Sequence, residues 1–115
     1  MTEFLNYVRA IQRSGLMLKR VPKELKIPEL CLLAVQQNGY AIQFVKDQTE
    51  DICLAAVQQN GLALKYVFPE CQTYMICRAA IENNPDAIVH IQNEQILRDL
   101  TIIELDNDET RTIEI

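Results

Sequence analysis

Four cysteines, one histidine and an acidic run near the C-terminus are the groups in this sequence that could carry chemistry. Cys31, Cys53 and Cys77 recur at spacings of 22 and 24 residues. Zinc sites of the common kind pair cysteines or histidines a few residues apart, and no such pair occurs. Each of the three sits within an apolar stripe, so they are expected to pack as small buried hydrophobes. Cys71 stands apart, beside Glu70; a reactive thiolate wants a cationic neighbourhood, which predicts an inert thiol there. Such cysteine usage suits a reducing compartment such as the cytoplasm. His90 has no serine, cysteine or carboxylate placed to complete a triad, and its register with Phe44 and Tyr66 predicts a half-buried ring. Asp106-Asn107-Asp108 opens like a calcium loop but lacks the glycine and the closing glutamate, so turn chemistry explains it better. The three glycines, Gly15, Gly39 and Gly61, form no phosphate loop. The expectation is a non-enzymatic protein with no metal, no cofactor and no small-molecule substrate.

The elements that position these residues come from a repeat. The hexapeptide AVQQNG occurs at 34–39 and again at 56–61. Extended outward it gives four copies: AIQRSGLMLKRV from Ala10, AVQQNGYAIQFV from Ala34, AVQQNGLALKYV from Ala56 and AIENNPDAIVHI from Ala80. Periods of 22 to 24 residues mark stacked units too small to bury their own apolar faces. Upstream of each alanine, apolar residues recur at i, i+1, i+4 and i+5, as in Ile52, Cys53, Ala56 and Val57, which is one face of a helix. Thr49 and Thr73 are placed to cap these helices, and Pro28 to open one. Asn-Gly at 38–39 and 60–61 reads as a helix stop with glycine in the left-handed conformation. A second segment of about two helical turns follows each stop, too short to be stable alone. The linkers, KDQ at 46–48 and FPECQ at 68–72, read as surface loops.

The predicted fold is mainly α: a right-handed-type, α-solenoid-like array of about four short helical hairpins over residues 1–95. Residues 96–115 read differently. Ile103 and Leu105 alternate with polar residues before DNDE, and Arg111, Ile113 and Ile115 alternate after it, predicting a C-terminal β-hairpin. That tail could cap the array's open end or offer an edge for partner strands, including those of a second copy.

The pattern L-x-A-V-x-Q-N-G-x-A-L-x-Y-V, present as CLLAVQQNGYAIQFV and CLAAVQQNGLALKYV, resembles a helical repeat family of unknown function. That family is carried by effector-type proteins of intracellular bacteria and by some large-virus proteins. The resemblance spans roughly residues 7 to 91, with Ser14 and Pro85 departing from the pattern. It implies a repeat fold and a host-interacting setting inside a host cell, and supplies no catalytic residue.

Surface is what remains for function. The net charge is -5, with +2 over residues 1–50 and -7 over residues 51–115. Arg9, Arg13, Lys19, Arg20, Lys23 and Lys26 form a basic group that could hold phosphate or nucleic acid, while Glu104, Asp106, Asp108, Glu109 and Glu114 form an acidic one that could attract a basic protein. In a repeat array equivalent positions line up, so Gln36, Gln58 and Glu82 should form one row and Gln37, Gln59 and Asn83 another. Leu32 and Leu54, matched by Arg78, either face outward as a partner site or pack on the next helix. No apolar run is long enough to span a membrane and no signal peptide is evident, so a soluble protein is expected. The leading expectation is a protein-protein interaction module, an effector or virus-borne inhibitor whose partner is a basic or nucleic-acid-binding protein. The alternatives are a self-associating structural subunit and a nucleic-acid binder.

Overall fold

The computed structural model describes residues 2–102. Four α-helices, α1 (Thr2–Arg13), α2 (Pro28–Gln37), α3 (Glu50–Gln59) and α4 (Tyr74–Asn83), are each followed by a six-residue 3₁₀ helix: Gly15–Arg20, Gly39–Phe44, Gly61–Tyr66 and Pro85–His90. A fifth α-helix, α5, occupies 94–102. Helices α1 to α4 pack side by side in chain order, and the six-residue 3₁₀ helices pack against their neighbours in the array. The result is an elongated body of 64 × 25 × 17 Å.

Capping chemistry sets the boundaries. Thr49 Oγ1 accepts from Ile52 N at 3.4 Å and Thr73 Oγ1 from Ile76 N at 3.2 Å, while Pro28 opens α2. At the other end one extended residue serves two helices at once. Asn60 has φ -152° and ψ 109°; its N–H donates to Ala56 O at 2.9 Å, ending α3, and its Oδ1 accepts from Leu62 N at 3.0 Å, starting the 3₁₀ helix. Asn38 and Asn84 repeat the arrangement. The six residues that follow Asn38 bury Gly39 and Ile42, three apart, and three residues per turn put that pair on one side of the 3₁₀ helix.

The glycines depart from expectation. No glycine has a positive φ. Their role is close approach: a Cβ added to Gly15, Gly39 or Gly61 would lie 2.2, 2.4 or 2.2 Å from the carbonyl oxygen of Ala34, Ala56 or Ala80 in the following unit. Those alanines are fully buried. Gly-to-Ala contact between units therefore fixes the stacking distance.

The predicted hairpin is not found: no strand occurs among the described residues, and 94–102 is helical, across the boundary expected at 95. Asn93 caps this helix, its Oδ1 accepting from Gln95 N at 2.9 Å and Ile96 N at 3.1 Å. Ile96, Leu97 and Leu100 continue the repeat's i, i+1, i+4 stripe, and Leu100 is buried. Packing on the array's open end outweighs the strand preference of Thr101 and Ile102. Leu100 stands where the other units have alanine, and Pro85 where they have glycine, so the last contact is built differently, as terminal units of arrays are. Residues 103–115, with Glu104, Asp106, Asp108 and Glu109, lie outside the described residues.

Candidate functional site

Burial along α2, α3 and α4 defines an outward face. Leu30, Cys31, Ala34 and Val35 of α2 are buried, as are Ile52, Cys53, Ala56 and Val57 of α3. The opposite side carries exposed Gln36, Gln58 and Glu82 at matching positions on three adjacent helices, beside half-buried Leu32 and Leu54. Leu32 packs partly against the core. Arg78, in the third place of that series, is exposed and pairs with Glu82 at 2.9 Å. Glu29, Glu50 and Asp51 stand exposed in the first turns of α2 and α3.

The neighbouring row has another occupation. Gln59 Oε1 accepts from Gly39 N at 2.6 Å, and Asn83 Oδ1 accepts from Gly61 N at 2.6 Å. Asn83 Nδ2 also donates to Gln58 O at 3.0 Å. These side chains join consecutive units across the glycine contact, although their surfaces stay exposed, as does that of Gln37.

Two residues that read as linker are internal. Gln48 and Gln72 are buried. Gln48 Nε2 donates to Tyr66 O at 3.0 Å and its Oε1 accepts from Phe68 N at 2.9 Å; Gln72 makes the same pair with His90 O at 3.0 Å and Gln92 N at 2.9 Å. Each glutamine thus satisfies the donor and the acceptor at the end of the next unit's 3₁₀ helix. The signal was present in the numbering: Lys26, Gln48 and Gln72 each stand five residues before Cys31, Cys53 and Cys77. Lys26 Nζ makes the equivalent bond to Phe44 O at 3.2 Å.

Cys31, Cys53 and Cys77 are buried and Cys71 is half-buried, all as free thiols. Burial pushes the Cys77 thiol up to about 11; burial, and then the neighbouring Cys71, push Cys53 up to about 12. The Cys31 thiol is also raised, by burial foremost, with Lys26 opposing and Asp47 adding to the shift. The unfolded chain ionises these thiols at a pH the fold resists, so their contribution to stability is whole below 9.0 and is lost as pH rises through about 11 and 12. Urea unfolding is expected to show stability falling above pH 9.0, with a shallower fall in a Cys53→Ala, Cys77→Ala variant. An unchanged slope in that variant would contradict the assignment.

His90 is half-buried in register with Phe44 and Tyr66. Tyr66 meets Tyr40 edge to face at 5.8 Å between centroids, and Lys65 Nζ lies 4.9 Å from the Tyr66 ring, so the aromatic row is a packing feature of the 3₁₀ layer. Of the basic group, Arg9, Arg13, Lys19, Arg20 and Lys23 are exposed and Lys26 is half-buried. Among the described residues no three His, Cys, Asp or Glu side chains cluster as metal ligands, and no helix is long and apolar enough to cross a membrane.

No curated protein and no solved structure matches the chain. A family model does, three overlapping times, at residues 8–48, 27–72 and 49–96, each match spanning about two of the stacked units. With one helix-and-3₁₀ unit repeated through nearly all the described residues, the chain belongs to the family described as "Domain of unknown function (DUF4116)".

Proposed function

We propose that this protein is a non-enzymatic protein-binding module whose working surface is the outward face of α2, α3 and α4. One observation carries the reading: Gln36, Gln58 and Glu82 are exposed in a single row across three adjacent helices, flanking half-buried Leu32 and Leu54. The two side-chain amides and the carboxylate in this row can make directional contacts, and the partly apolar strip beside them gives a partner surface to bury. Extended faces of this kind are what stacked repeats provide for recognition. Exposed Glu29, Glu50 and Asp51, with Arg78 neutralised by Glu82, favour a basic partner, including a nucleic-acid-binding one. The resemblance to effector-type and viral repeats supports a host protein as that partner, held by surface occupation in the manner of an inhibitor.

Capture from host-cell lysate tests this. Wild-type protein is expected to retain a specific partner that a Gln36→Ala, Gln58→Ala, Glu82→Ala variant loses. Equal capture by both baits would move the interface elsewhere, and capture by neither would count against a binding module.

A further inference from the structure

A cavity of about 390 Å³ opens between the segment that leads into α2 and the segment that joins the second unit to α3, lined by Lys23, Lys26, Lys46 and Asp47 over an apolar floor that includes Phe44 and Ile52. Three lysines and one aspartate contribute to its lining. The cavity coincides with the one unit in which the inter-unit glutamine is replaced. Gln48 and Gln72 each donate to a carbonyl 18 residues on and accept from an N–H 20 residues on, Phe68 and Gln92. Lys26 reproduces the donation, to Phe44 O. Lysine has no acceptor atom, so residue 26 cannot receive the N–H of Lys46, which stands in the place of Phe68 and Gln92. Exchange of glutamine for lysine thus removes an oxygen, adds a positive charge and leaves a backbone donor beside two further lysines.

We propose that this cavity binds a phosphomonoester, its oxygens taking the place of the missing glutamine oxygen. The Lys46 N–H and the Lys26 ammonium supply charge-assisted hydrogen bonds, Lys23 and the Lys46 side chain add to them, and the excess of two positive charges matches a phosphate dianion. Phe44 and Ile52 offer an apolar surface to whatever carries the phosphate. This goes beyond the protein-binding face on α2 to α4 and does not depend on it.

The test is an amide NMR titration of the full chain with inorganic phosphate. Saturable shifts centred on the Lys46 amide are expected, weakened at least about tenfold in Lys26→Gln. That variant restores the residue of the other units, so its melting temperature should be unchanged or higher. Lys23→Gln, at an exposed position, should weaken binding without touching the packing, and Asp47→Asn should tighten it. Phosphate binding undiminished in Lys26→Gln and Lys23→Gln, shifts spread over the exposed basic residues and absent at Lys46, or acetate binding as tightly as phosphate would each overturn the proposal. A phosphoserine peptide and a nucleoside monophosphate, titrated in parallel, distinguish a protein-borne phosphate from a free one by which binds more tightly than phosphate alone.

Discussion

Gly61→Ala is expected to destabilise the array by roughly 3 kcal/mol, measured as a fall in urea midpoint followed by circular dichroism. The added methyl would lie 2.2 Å from Ala80 O, and the opposing atom is backbone carbonyl rather than a side chain that can turn aside. Relief requires the Gly61–Tyr66 segment to move away from α4. That movement also stretches the bond from Gly61 N to Asn83 Oδ1, now 2.6 Å. Against a total stability on the order of 5 to 15 kcal/mol, such a loss is large. The choice of substituent separates two explanations for the glycine. Were left-handed backbone the requirement, Gly61→Asn would be tolerated, since asparagine enters that region more readily than alanine does. Close approach predicts that asparagine is at least as harmful as alanine. A mild effect of asparagine beside a severe one of alanine would contradict the stacking contact.

Gln48→Leu is the second large effect, roughly 2 to 4 kcal/mol, because two backbone groups lose their partners in one substitution. Tyr66 O and Phe68 N are bonded to the buried Gln48 at 3.0 and 2.9 Å in a partly buried setting, and leucine offers neither a donor nor an acceptor. Gln48→Lys is expected to cost less, since Lys26 shows that an ammonium can bond the carbonyl at this place. Chemical denaturation of the two variants ranks them. Leucine and lysine costing the same would mean that water already serves Tyr66 O, and that the glutamine does not join the units.

The stacked units were legible because their signals are local. The stripe Ile52, Cys53, Ala56, Val57 names a helix and its buried side within one unit, and Thr49 and Thr73 name its start. Features that act between units leave no such local signal. Gly61 is explained by a carbonyl at residue 80 and Gln48 by groups at 66 and 68, and neither separation shows in a reading that proceeds helix by helix. Alternation at Ile103 and Leu105 suggested strands, but the segment just before it, capped by Asn93, packs Leu100 against the array's end and is helical. Short polar-apolar alternation says little when a neighbouring apolar surface is available to select the conformation. Of the surface positions expected to meet a partner, Gln36, Gln58 and Glu82 stand together in the open, whereas Gln59 and Asn83 also serve the stacking.

The central claim is that the row on α2, α3 and α4 binds a protein. Its most direct test is the equilibrium affinity of the purified captured partner for wild type and for the Gln36→Ala, Gln58→Ala, Glu82→Ala variant, by calorimetry at matched melting temperature. Exposed positions leave the fold nearly untouched, the Arg78 to Glu82 pair at 2.9 Å being a solvent-exposed one worth at most about 1 kcal/mol. A loss of tenfold or more, on the order of 1.4 kcal/mol, is the predicted result. An affinity unchanged by the three substitutions would contradict it.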